Sequence, residues 1–458
     1  MPGLRRVLIA NRGEIAVRIL RACFDEGLET VLAVSEIDRG SLGAALADRS
    51  VCIGPAAASQ SYLDLDRVMT AALVTGCDAL HPGYGFLSER PELAAACERE
   101  GIAFVGPPAA AMRRSGDKAT ARALARELDI PVGDGSDVLT GAQEARASAD
   151  AIGYPVLLKA AAGGGGRGMR LVEAPEDLAG AYDAASGEAQ QAFGDGRLFV
   201  ERYVRRARHV EVQVLADGHG TVVHLGHRDC TLQRRYQKLV EEAPAYGLPP
   251  DLEHDITSAA TRLIGALDYQ GAATCEFLVD AERNTYAFLE INARLQVEHP
   301  VTEMVTGIDI VREQLRIAGG APLSFAQDDV AITGHAVEVR INAERPESGF
   351  LPAPGVLTRW VAPVGSDVRV DTACFPGWSI TPHYDSLLAK VVARGADREA
   401  ALARVVAALR HLRVDGVPTT TGFALDVLQE PDVVAGRVHT RWLEEELLPR
   451  WTTTLEAV

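Results

Sequence analysis

The spacing of apolar residues changes along the chain, and the changes mark its parts. Arg6 to Ala10 is a short apolar run and Asn11-Arg12-Gly13 a turn; Glu14 to Glu26 then carries Ile15, Val17, Ile19, Leu20 and Phe24 at helical spacing before a second apolar run, Thr30 to Val34. The pattern predicts a βαβ unit opening a parallel sheet. Its turn holds a single glycine, so the GxGxxG dinucleotide fingerprint is absent and the unit reads as structural. Alternation of this kind runs to the consecutive Pro107 and Pro108, which places a boundary near residue 115. A second region fades at Gly319-Gly320-Ala321-Pro322. The third, from about Ala331, begins with alternating strands and closes in a helix over Arg398 to Leu412.

Two segments of the middle region break the ordinary pattern. Val156 to Ala160 and Met169 to Val172 are extended runs on either side of Gly163-Gly164-Gly165-Gly166, with Lys159 near the end of the first. Strand, glycine loop, strand is not the strand, loop, helix of a Walker A site, and no GK[ST] follows. Such a hairpin suits a lid whose bare N–H groups approach phosphate oxygens, although a flexible hairpin tip has the same sequence signature.

The second segment allows a geometric derivation. Ala272 to Val279 and Thr285 to Asn292 outline a hairpin, and a turn centred on Arg283 sets Glu276 opposite Glu290. Opposed carboxylates, with Cβ atoms about 5 Å apart, repel one another unless a divalent cation lies between them. All-oxygen ligation suits magnesium carrying nucleotide phosphates. If the strand stays extended, Glu290, Asn292, Arg294, Gln296 and Glu298 share one face, a carboxylate, amide and guanidinium series that points to an anion pocket beside a metal. Glu338 to Glu344 alternates similarly around Arg340, where a surface ion pair is the plainer reading. The basic segment Arg228 to Lys238 runs into Glu241 and Glu242, so a local salt-bridge cluster rivals a binding role there.

Composition narrows the classes. The 458 residues, 47% hydrophobic and 24% charged, have the length of about three folded domains. A net charge of −17 disfavours a nucleic-acid or anionic-membrane surface, and no uncharged apolar run is long enough to span a bilayer. Seven cysteines without a CxxC pair indicate neither a disulfide framework nor a zinc ribbon, which places the protein by default in a reducing cytoplasm. Only four lysines, Lys118, Lys159, Lys238 and Lys390, stand against 42 arginines. A lysine kept against that bias marks a need for a compact ammonium, with Lys390 the readiest candidate for chance survival.

The motifs ANRGEIAVRILRA (10–22), HPGYGFLSE (81–89), GDK (116–118), KAAAGGGGRGMR (159–170), RDCTLQRRYQKLVEEAPA (228–245), EINARLQVEHPVTEMVTG (290–307) and GHAVEVRINAE (334–344) resemble the biotin carboxylase family over essentially residues 4 to 446. These are the ATP-grasp components of acetyl-CoA and related acyl-CoA carboxylases. The resemblance implies a mixed α/β and α+β chain in three parts: a Rossmann-like pre-ATP-grasp domain (1–115), an ATP-grasp domain (116–330) with its glycine-rich lid at about 134–204, and a C-terminal biotin carboxylase domain (331–446) before a tail (447–458). It implies ATP contacts at Lys118, Lys159, Gly164, Gly165, Gly166, Glu201, Val204, His209, Gln233 and Glu276. It further implies a magnesium or manganese site at Glu276, Glu290 and Asn292, and a bicarbonate pocket of Lys238, Arg294, Gln296 and the Val297 backbone, with Glu298 as base. Arg340 would stabilise the biotin enolate beside Tyr84.

The implied reaction is ATP-dependent carboxylation of biotin through carboxyphosphate, a step toward fatty acid biosynthesis. With no Met-Lys-Met tripeptide, the biotinyl carrier protein and the carboxyltransferase are expected on other polypeptides, and a homodimer is expected by resemblance. Tyr236 departs from the family, which often has His there, and puts the nucleotide contacts of that segment in doubt. Two other readings stay open: a carbamoyl-phosphate-forming ATP-grasp ligase and a catalytically silent nucleotide-binding subunit.

Overall fold

The computed structural model describes residues 3–161, 169–280 and 283–451. Strands β1 (Arg6–Ile9), β2 (Glu29–Ser35), β3 (Arg49–Gly54), β4 (Ala79–His81) and β5 (Ala103–Phe104) form a parallel sheet in the order β3-β2-β1-β4-β5. The first helix, Gly13–Asp25, joins β1 to β2 as the apolar spacing predicts, and Gly13 at φ +66 allows the tight entry that a side chain would strain. Its buried stripe of Ile15 and Ile19 shares a core with Leu215, Ala272 and Leu295, and so fixes this sheet against the centre of the molecule.

The extended runs beside the glycines are β6 (Val156–Ala160) and β7 (Arg170–Val172), antiparallel as predicted, with β8 (Leu198–Arg202) on the other side of β6. Gly164, Gly165 and Gly166 lie outside the described residues. A larger antiparallel sheet runs β13-β12-β9-β10-β11-β14, built from β9 (Ala207–Ala216), β10 (Val222–Arg234), β11 (Gln237–Ala243), β12 (Gly271–Asp280), β13 (Thr285–Asn292) and β14 (His335–Asn342). Strands Leu387–Gly395 and Val368–Thr372 complete it, so one eight-stranded sheet joins the second and third sequence regions.

Alternation on β14 explains the sheet's two faces. Val337, Val339 and Ile341 enter a core with Val391, Val405 and Leu409, the last two from the helix Arg398–His411. Arg340 and Asn342 turn the other way and line a cleft. No helix among the described residues is long and apolar enough to cross a membrane.

Candidate active site

The cleft is a cavity of about 890 Å³ lined by residues of the large sheet, the small sheet and the 292–298 loop. Lys118, Lys159, Glu201, Val204, His209, Gln233, Lys238, Glu276, Glu290, Asn292, Arg294, Gln296, Val297, Glu298, Arg340 and Tyr84 all contribute to its wall. Every candidate from the sequence within the described residues is therefore in one place.

Glu276 and Glu290 do sit opposite one another, but the route differs from the simple hairpin. From Asp280↔Thr285 to Phe277↔Phe288 the pairing is one residue out of the expected register, and an irregularity between Glu276 and Phe277 then restores it. The bulge, not the turn, aligns the two carboxylates. Asn292 donates from Nδ2 to Glu276 Oε1 at 2.9 Å, which adds a third oxygen-bearing side chain at the same place. Two opposed carboxylates and an amide are hard oxygen donors, and they fit magnesium or manganese.

Beyond Asn292 the expected single extended face does not persist. The strand ends there, and Glu298 takes φ −82 and ψ 8 as N-cap of the helix His299–Thr306. Arg294, Gln296 and Glu298 nevertheless converge, because the loop folds over the cleft. Arg294 donates to Glu89 at 3.0 Å and to Gln296 Oε1 at 2.9 Å.

Charge concentrates around Lys238. Its ammonium reaches Glu211 Oε2 and Glu298 Oε1, each at 2.5 Å, and Glu276 Oε1 at 3.2 Å. Arg340 donates to Glu298 Oε2 at 2.9 Å and to Glu241 Oε1 at 2.6 Å. Beneath them Arg228, wholly buried, donates to Glu211 Oε1 at 2.5 Å, Gln213 at 2.8 Å, Thr302 at 3.0 Å and Thr274 at 3.2 Å. Burial pushes the Glu298 carboxyl up, but Lys238, Arg340 and Arg228 outweigh it and hold the group well below the usual carboxylate range. Glu298 is thus ionised. Burial also disfavours a charged His209, yet Glu276, at 3.1 Å from Nε2, raises its pKa above the ordinary value.

The local salt-bridge cluster that rivalled a binding role for the basic segment does not form. Glu241 takes Arg340, and Glu242 takes Arg398 and His335, all distant in sequence. Arg340 is likewise not a surface pair. Elsewhere on the cleft wall, Lys118 meets Glu290 at 3.2 Å, and Lys159 and Arg122 both engage Glu201. Tyr236 lies on the β10–β11 turn, where Arg235 and Tyr236 have φ of 48 and 66, and its half-exposed ring forms part of the cavity wall.

Glu211 was not singled out from the sequence, yet it holds both Lys238 and Arg228. Its signal was the run Arg208-His209-Val210-Glu211-Val212-Gln213, where polar residues alternate on a strand that proves wholly buried. The tripeptide context of a central strand gives such charges no solvent to face, so they must pair.

The three regions match described families in turn: residues 3–112 the biotin carboxylase N-terminal domain, 117–326 the ATP-binding domain of the carbamoyl-phosphate synthase L chain, and 338–445 the biotin carboxylase C-terminal domain. Biotin carboxylase 1 of Bacillus subtilis is 45% identical over 442 residues, 96% of this chain and 98% of that one. The chain belongs to the biotin carboxylase family. Biotin carboxylase of Pseudomonas aeruginosa is 48% identical over 446 residues, 97% of this chain and 99% of that one. Among solved biotin carboxylase structures, the domain dimer of Hydrogenobacter thermophilus 2-oxoglutarate carboxylase, with MgADP and bicarbonate, superposes with a TM-score of 0.93 at 42% identity, covering 97% of this chain and 98% of that chain.

Proposed function

We propose that this chain carboxylates biotin on a biotinyl carrier protein, using ATP and bicarbonate through carboxyphosphate, as the first half-reaction of acetyl-CoA or another acyl-CoA carboxylase. The observation that carries the reading is the contact of one carboxylate, Glu298, with both Lys238 and Arg340 inside the cleft. A buried base flanked by two cations is what proton removal from a bound anion requires.

In this reading Lys118, Lys159, the glycines 164–166, Glu201, Val204, His209 and Gln233 hold ATP. Glu276, Glu290 and Asn292 would hold Mg2+ or Mn2+, which neutralises charge on the transferring phosphoryl group. Lys238, Arg294, Gln296 and the Val297 backbone seat bicarbonate. Glu298 removes its proton, so that the freed oxygen attacks the γ-phosphorus and ADP leaves. The carboxyphosphate breaks down to carbon dioxide and phosphate, the phosphate takes the proton of the biotin ureido nitrogen, Arg340 stabilises the resulting enolate while Tyr84 flanks the ring, and the nitrogen attacks carbon dioxide to give carboxybiotin. An arginine suits that role because its charge is permanent at neutral pH.

In this scheme biotin is brought to the cleft by its carrier. The side chains of Lys118, Lys159, Lys238 and Lys390 are all engaged by carboxylates, and none is presented as an acceptor for biotin. The carboxyltransferase is assigned to a further chain, the compartment to the cytoplasm, and the assembly to a homodimer, as in the Hydrogenobacter thermophilus domain dimer.

The test is ADP release by the purified chain with magnesium and bicarbonate, with and without free biotin. Bicarbonate-dependent stimulation by biotin is expected. Stimulation by ammonia instead would reassign the chain to carbamoyl-phosphate formation, and nucleotide binding without turnover would make it a silent subunit.

A further inference from the structure

Lys390 has no part in the scheme above. It lies on the strand Leu387–Gly395, opposite Arg340 of β14, and is wholly buried. Its ammonium donates to the Val297 carbonyl at 2.9 Å and pairs with Glu14 at 3.1 Å and Asp371 at 3.7 Å. These three acceptors come from the cleft loop, the first turn of the first helix and the edge strand Val368–Thr372. A compact ammonium can donate in three divergent directions, which a planar guanidinium cannot do in the same space. That geometry explains a buried lysine in a chain that otherwise uses arginine.

The same Glu14 oxygen accepts the Tyr84 hydroxyl. A continuous polar path therefore runs behind the cleft wall, from Tyr84 through Glu14 and Lys390 to the peptide joining Val297 to Glu298. Asp371 already has Arg369 on both oxygens, at 2.9 and 2.8 Å, so it does not depend on Lys390. Glu338, the other carboxyl facing Lys390, is wholly buried with neither oxygen hydrogen-bonded among the described residues, and burial pushes its pKa up. Glu14 is the partner for which Lys390 is placed.

We propose that Lys390 is a positioning residue for the carboxylation site: it fixes the Val297–Glu298 peptide, and with it the base and the anion pocket, and ties that peptide to Tyr84 through Glu14. It touches no substrate. The inference rests on the assignment of bicarbonate to the Glu298 pocket.

The double variant Glu14→Gln/Lys390→Met removes both members of the pair, and Asp371 keeps Arg369. Three quantities are measured on the full chain: melting temperature, MgADP affinity by calorimetry, and the bicarbonate kinetics of biotin-dependent ADP release. MgADP affinity within about twofold of the parent is expected, with kcat/KM for bicarbonate down about 100-fold, the scale of a small misplacement of a reacting group. Parent-like bicarbonate kinetics in a folded variant would overturn the proposal. So would an equal loss of MgADP affinity and turnover, which marks a purely structural role. Should the double variant fail to fold, Glu14→Gln alone carries the test: a higher bicarbonate KM at unchanged MgADP affinity supports the path, and an unchanged KM removes it. Absence of bicarbonate-dependent turnover in the parent would instead defeat the bicarbonate assignment itself.

Discussion

At the end of the cleft beside the small sheet, Lys118 and Glu290 meet at 3.2 Å with side chains 27% and 35% exposed, whereas Lys238 and Glu298, 2.5 Å apart at the inner end, are 12% and 1% exposed. The outer pair is screened by water and contributes about 0–1 kcal/mol, so an arriving metal and nucleotide can separate it at little cost. The inner pair sits in a charge network with the buried Glu211, Arg228 and Glu241, where each member is costly unless its partners stay in place. One pair can part at little cost, and the other is held by its network.

Substitutions at the two ends should therefore fail differently. Arg228→Met, which strips Glu211 of a wholly buried partner, is expected to cost about 3–5 kcal/mol of stability by denaturant unfolding. A loss below about 1 kcal/mol would mean the inner network is not structural. Glu298→Gln should keep MgADP affinity while bicarbonate-dependent turnover falls about 10²–10⁴-fold, and unchanged turnover would remove it as the base. Glu290→Gln at the outer end should leave the melting temperature alone and weaken metal-nucleotide binding about 10–100-fold, measured by magnesium titration of ADP release. An unaltered metal requirement would refute the opposed-carboxylate site.

The remaining effect is a dependence on pH. Burial pushes Glu242 up, but His335 and Arg398 overcome it and bring the group down to about 2. A depressed carboxyl stabilises the fold fully above the ordinary glutamate value of about 4.3 and loses that contribution as pH falls through about 2. Stability should drop by about 1.4 kcal/mol per pH unit in that window. Glu242→Gln should flatten the acid limb of a melting-temperature profile, and an unchanged limb would show that Glu242 is not its source.

Much of this was readable in the residue order. Helical spacing at Ile15, Ile19 and Leu20 and the apolar runs around it specify the opening βαβ unit, because a local period decides which face is apolar. Apolar runs located β12 and β13, and a turn centred on Arg283 set Glu276 opposite Glu290, a pairing that the bulge delivers. The bulge beside Glu276 was not legible, since an extra residue in a strand leaves no period of its own and is set by packing on both sides of the sheet. Arg340 read as a surface pair for a similar reason: its partners, Glu241 and Glu298, are far away in sequence.

Lysine marks the division most clearly. By itself the sequence determined that lysine is rare, that Lys118, Lys159 and Lys238 lie in motifs, and that the three regions follow one another as in the biotin carboxylase family. Only the tertiary structure decided what surrounds each ammonium: water and Glu290 for Lys118, three carboxylates for Lys238, and for Lys390, the one that looked incidental, a wholly buried place behind Glu298. Residue type and period are local properties, while the cost of a charge depends on burial and on partners brought in from distant strands, and those exist only once the chain has folded.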